Sequence, residues 1–237
     1  MLTNTSNKWR PIRIMASILD LNDPTNYCNE SGVIRPGLRG DDFMCTDDSI
    51  LTFEKRNLII HGLIPEAVRL HTSRLLVASV NANLLIPLFN YPLCSSFTVP
   101  PDHRSVGVRN ADMILYTAAR PAPGVNIAWA KSCAKLKNGR PVAGVMNSAP
   151  HPLSLSRISI RITAHEIAHT LGFNLPQMVA LHMVSILPHV RGKPFAMVVN
   201  STLTREKGAG VLWLPDGGGN GVGGRGRGAL EAAECEG

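Results

Sequence analysis

Two hydrophobic periods, one of two residues and one of 3.6, succeed each other along the chain. Near the start, Ile12 and Ile14 alternate with Arg13, which predicts a strand within residues 9–20 with one buried face. Residues 21–42 are rich in breakers (Asp23-Pro24, Arg35-Pro36-Gly37, Arg39-Gly40) and read as a loop. A helix is expected from about Thr46. Thr46 can cap it, Asp47 and Asp48 suit its first turn, and Ile50, Phe53, Ile60, Leu63, Ile64, Ala67 and Val68 form an apolar stripe. Pro65 falls inside that stripe and predicts a kink or a break. Residues 74–80 and the apolar run 113–118 read as two further strands. Residues 127–136 and 141–147 flank Asn138-Gly139, a pair that predicts a hairpin. A second long helix is expected over 156–173, with an irregular start after Pro152 and the β-branched residues. Beyond Arg205 neither period survives.

Composition sets the limits of the reading. The chain has 237 residues, 44% of them hydrophobic, which suits one globular domain or a domain with a fragment. Residues 1–207 are expected to form that domain. Residues 208–237 hold 11 of the 21 glycines and are expected to be a disordered tail. The formal charge of +7 reads as a solvated basic face. Aromatic residues make up only 5%, no Lys/Arg run interleaves with them, and Arg225 and Arg227 of the tail have no aromatic residue beside them, so no nucleic-acid partner is expected. No run approaches the roughly 18 apolar residues of a membrane span. The polar start, Met1 to Ser6, does not read as a signal peptide. The five cysteines include no Cys-x-x-Cys pair, and disulfides among them would imply an oxidising compartment. Asn4, Asn29 and Asn200 open glycosylation triplets.

The chemistry concentrates in Ala164-His165-Glu166-Ile167-Ala168-His169-Thr170-Leu171-Gly172-Phe173. Histidines four apart on a helix lie about 6 Å apart along the axis and leave the same face. Two neutral imidazoles so placed can grip one Zn2+, and the glutamate between them can take a proton from a zinc-activated water. This is the His-Glu-x-x-His signature of zinc metallopeptidases. Gly172 permits a sharp turn toward a third ligand. The plainer alternative is an amphipathic helix with two ordinary histidines. His61 and His71 read as surface or hydrogen-bonded histidines, not as ligands.

Further segments carry a resemblance. They are Trp9-Arg10-Pro11-Ile12-Arg13-Ile14, Asp20-Leu21-Asn22-Asp23-Pro24, Leu70-His71-Thr72-Ser73-Arg74-Leu75-Leu76-Val77, Cys94-Ser95-Ser96-Phe97-Thr98-Val99-Pro100, Asn138-Gly139-Arg140-Pro141 and Val190-Arg191-Gly192-Lys193-Pro194-Phe195. Together with the histidine helix, and in this order, they resemble the leishmanolysins, surface metalloproteases of trypanosomatids (peptidase family M8). The resemblance implies an α+β fold: a metzincin-like amino-terminal subdomain with a twisted mixed sheet and two long helices, its carboxy-terminal subdomain missing. It implies zinc-dependent endopeptidase activity on peptide or protein substrates, with His165 and His169 as metal ligands and Glu166 as general base. It further implies disulfides Cys28–Cys45 and Cys94–Cys133, a cell-surface or secreted location, a role in adhesion, and a peptide-binding sheet edge around Ile127-Ala128-Trp129-Ala130.

The departures from the family are as specific. The family's signal, propeptide, lipid-anchor signal and third zinc-binding histidine are not found. The short metzincin spacing falls on Leu175, and His182 and His189 are the only downstream histidines. The tail can be back-translated so that a shifted frame resembles the family's third-histidine segment, which suggests a frameshift near Gly208. Two alternatives to an active peptidase follow: a catalytically dead relic or adhesion protein that keeps the fold, and an unrelated domain with an RNA-binding tail.

Overall fold

The computed structural model describes residues 9–37, 41–121, 128–150, 153–190 and 192–200. The expected boundary at 207/208 and the glycine-rich tail lie outside these residues. The chain divides into two compact units, one ending at Met178 and one starting at Val179. In chain order the first unit holds β1 (Trp9–Pro11), β2 (Ile14–Ser17), α1 (Leu19–Asn22), β3 (Ile34–Pro36), β4 (Asp42–Met44), α2 (Phe53–Leu58), α3 (Ile64–Thr72), β5 (Leu76–Ala78), α4 (Pro92–Ser95), α5 (Pro101–Ser105), β6 (Met113–Ala118), β7 (Ala128–Lys135), β8 (Pro141–Ser148) and α6 (Arg157–Thr170). The short α7 (Leu175–Ala180) follows. The second unit's described residues form a hairpin of β9 (Val184–Val190) and β10 (Lys193–Val199) that turns at Gly192, φ +79°.

The continuous apolar run of β6 buries all six residues, as expected of a strand covered on both faces. It sits inside a four-stranded sheet of order β2-β6-β8-β7. The first three strands are parallel, and β7 pairs antiparallel with β8. The architecture is therefore mixed α/β, with β7 on one edge. The predicted hairpin joins β7 to β8, with Gly139 at φ +84° and Asn138 Oδ1 accepting from the Arg140 N–H. Ile127 lies outside the described residues.

Each face of the sheet has its own cluster. On one, Leu115 and Met146 pack with Ile59, Leu63, Ile64 and Ala67 of the first long helix and with Ile167 of α6. Ile167 is fully buried, worth about 2 kcal/mol by apolar burial. On the other, Ile114, Tyr116, Ala143 and Val145 meet Leu84, Ile86, Phe89 and Phe97 from the long connection that contains α4 and α5. The disulfide Cys94–Cys133 ties that connection to β7. It meets β7 where the register slips between Ser132 and Ala134. A second disulfide, Cys28–Cys45, closes the breaker-rich loop.

Four local expectations need correction. The single strand over 9–20 is two strands: β1 pairs with β5, and β2 pairs with β6. The chain changes partner at Arg13, whose N–H and guanidinium both bind the buried Asp112 carboxylate. The first long helix does not start at Thr46. Thr46 precedes a single 3-10 turn, Asp47–Ser49, and the α-helix begins at Phe53, where the Thr52 side chain accepts from the Lys55 N–H. Pro65 does not break the helix. The stretch Ile59–Leu63 widens into a π-turn just before it, which removes the clash between the proline ring and the carbonyl four residues back. Finally, α6 starts cleanly at Arg157, because Ser156 Oγ accepts the Ser159 N–H at 3.1 Å.

Candidate metal centre

Helix α6 is seated by its apolar stripe, Ile160, Ala164, Ile167 and Leu171, which belongs to the cluster beneath the sheet. Close approach is possible because β8 offers Gly144 there: a Cβ on Gly144 would lie 2.5 Å from Thr170 Cβ. With that stripe turned inward, His165, Glu166 and His169 gather outside it. His165 is exposed and the other two are half-buried.

The two imidazoles converge. His165 Nε2 and His169 Nε2 are 3.0 Å apart, and ligand atoms of all three residues lie within 4.8 Å of one another. Two nitrogens bound to one tetrahedral zinc at about 2.05 Å would be separated by about 3.3 Å, so the donor pair fits such an ion. His169 Nδ1 lies 2.8 Å from the Phe173 carbonyl oxygen, which can only accept. Nδ1 therefore carries the proton, and in the neutral ring Nε2 presents its lone pair to the centre. Helix α6 ends at Thr170, and Gly172, φ +100°, folds the chain back so that the Phe173 carbonyl reaches the ring. Burial, reinforced by His169, pushes the His165 imidazole below its ordinary pKa and favours the metal-binding neutral form.

Glu166 faces the sheet edge. Burial pushes its carboxyl up to about 7, against the opposing pull of His169 and of the Ala130 backbone on β7. A carboxyl poised near neutrality beside a candidate metal pair is suited to general-base work.

The other singled-out residues are distributed elsewhere. Leu175 opens α7. His182 and His189 belong to the second unit, both with positive φ, and among the described residues the donor cluster consists of His165, Glu166 and His169. His61 is exposed. His71 Nε2 lies 2.8 Å from the Ala164 carbonyl oxygen. Sequence reasoning left the Phe173 carbonyl and Gly144 unread and named Ala130 only as part of a peptide-binding sheet edge; these act through main-chain atoms or the absence of a side chain. Among the described residues no helix is long and apolar enough to cross a membrane.

A family model described as Leishmanolysin matches residues 2–209. A leishmanolysin of Leishmania amazonensis is 36% identical over 213 residues, covering 86% of this chain and 36% of that relative. One from Leishmania major is 36% identical over 202 residues, covering 84% and 34%. A leishmanolysin homologue of Crithidia fasciculata is 34% identical over 200 residues, covering 83% and 30%. The chain thus spans about a third of the length of the curated relatives it matches. With a family match that spans all of its described residues and relatives about a third identical over most of its length, the chain belongs to the leishmanolysin family of peptidases.

Proposed function

We propose that this chain carries the catalytic face of a zinc-dependent endopeptidase. The observation that carries the reading is the convergence of His165 Nε2 and His169 Nε2 at 3.0 Å, with Glu166 beside them and the outer edge of β7 alongside. His165 and His169 would hold the ion. Zinc, once held, supplies the Lewis acidity that makes a water molecule a nucleophile near neutral pH and polarises a peptide carbonyl. Glu166 takes the proton of the attacking water, its carboxyl tuned upward by burial to match that task. His169 keeps one tautomer through the Phe173 carbonyl. The outer edge of β7 has no strand partner among the described residues and accepts an extended peptide by strand addition, which sets the scissile carbonyl beside Glu166.

A catalytic zinc takes three protein ligands, and the described cluster offers two imidazoles. Amino-terminal subdomain character for residues 1–207 and a cell-surface setting with a role in adhesion belong to the same proposal. The two-histidine cluster also favours a second reading, a relic that keeps the fold without the chemistry.

Zinc content per chain with casein cleavage tests the choice. The enzyme reading predicts about one zinc per chain and cleavage that a chelator stops. Glu166→Ala should keep the zinc and lose cleavage. A chain with no zinc and no cleavage supports the relic.

A further inference from the structure

Helix α3 is held against α6 mostly by apolar contacts. Ile64, Ala67 and Val68 share one cluster with Ile160, Ala164 and Ile167. Such contacts resist separation but tolerate small rotations, because dispersion has little directionality. Rotation matters here. Side-chain atoms lie about 5–6 Å from a helix axis, so a turn of about 10° displaces them by about 1 Å. Metal sites tolerate only about 0.2 Å in ligand distance.

One directional contact crosses the interface beside the metal ligands. His71, in the last turn of α3, brings Nε2 to 2.8 Å from the carbonyl oxygen of Ala164, the residue immediately before His165. The carbonyl is an acceptor only, so Nε2 carries the proton and donates. We infer that His71 is a positioning residue for the metal centre: its Nε2–H on Ala164 fixes the rotation of α6, and thereby the aim of His165 and His169. The imidazole is half-buried, so the bond is shielded from competing water. His71 also lines a cleft of about 420 Å³ whose walls include Ala168 and Phe173. The residue whose carbonyl fixes His169 therefore shares this cleft with His71.

The inference rests on the reading of this face as a zinc site, and the test separates the two. His71→Gln and His71→Asn are compared with the wild-type chain. The glutamine amide nitrogen reaches roughly where Nε2 sits; the asparagine nitrogen falls short. Zinc affinity is measured by competition with a chromogenic chelator, the cobalt(II)-loaded chain by its visible spectrum, and folding by the thermal midpoint. His71→Asn is expected to weaken zinc binding about tenfold and alter the cobalt spectrum, and His71→Gln to recover affinity to within about twofold, at similar thermal midpoints. Equal affinity and equal cobalt spectra for wild type and His71→Asn overturn the role of His71, as does a His71→Gln chain as weak as His71→Asn. A wild-type chain that binds no zinc overturns the metal reading, and this inference with it.

Discussion

Substituting Gly144 by alanine tests how α6 is docked. The added Cβ would lie 2.5 Å from Thr170 Cβ, 2.8 Å from Thr170 Cγ2 and 2.9 Å from the Lys131 carbonyl oxygen. Carbon atoms in good contact sit about 3.5–4.0 Å apart, so the overlap with Thr170 is about 1 Å. Thr170 cannot simply swing aside: it is fully buried, and its Oγ1 donates to the Ile167 carbonyl at 2.7 Å. The Lys131 contact is backbone. The strain is therefore relieved by moving α6 away from β8, at a cost of about 1–3 kcal/mol. For a chain of this size that lowers the thermal midpoint by roughly 2–12 °C. The same movement shifts His165, Glu166 and His169 against β7, and a displacement of about 1 Å can reduce turnover about 100-fold. Circular dichroism melting, with cleavage assayed well below the midpoint, measures both. Gly62→Ala is the control. Its new Cβ meets only the tip of the exposed Leu155 side chain, at 2.9 Å, which can move, and alanine favours helix by roughly 0.5–1 kcal/mol. A Gly144→Ala chain that melts and cleaves like wild type refutes the docking of α6 on β8 through this gap.

Other outcomes follow from the same framework. Burial pushes the Asp112 carboxyl up, but hydrogen bonds from Arg13 and the Val80 N–H, with the Arg13 charge, outweigh it and hold the pKa below the ordinary carboxylate value. A depressed folded-state pKa stabilises at pH above that ordinary value and is lost as pH falls through the folded one. Urea unfolding should therefore show wild type losing more stability between pH 5 and 2 than Asp112→Asn, which starts about 3 kcal/mol weaker at pH 7. Parallel curves would contradict this. Replacing Cys94 and Cys133 together by serine removes a crosslink spanning 39 residues. Loop closure predicts a loss of about 4 kcal/mol in denaturant unfolding; an unchanged midpoint would show that the connection is held without it.

How much was legible depended on the distance over which each feature is determined. The convergence of His165 and His169 could be read because residues four apart on a helix share a face by geometry alone, and the β7–β8 hairpin because Asn138-Gly139 sets its own turn. The break at Arg13 could not be read, since its cause, Asp112, lies 99 residues away. Pro65 could not be read as a distortion rather than a break, because a π-turn can absorb a proline and nothing local distinguishes the two. The layer carrying Leu84, Ile86, Phe89 and Phe97 was missed because short turns and α4 present no sustained period. The β9–β10 hairpin carried a signal that was left unread: Val184 and Ile186, then Phe195, Met197 and Val199, alternate on either side of Gly192. Gly144 and the Phe173 carbonyl act by missing or main-chain atoms and have no pattern of their own.

X-ray absorption at the zinc edge of the zinc-loaded chain tests the paired-histidine centre most directly. The account predicts two imidazole nitrogens at about 2.0–2.1 Å, with one imidazole lost in His165→Ala and one in His169→Ala. Zinc bound with no imidazole scattering, or scattering unchanged in both variants, would contradict it.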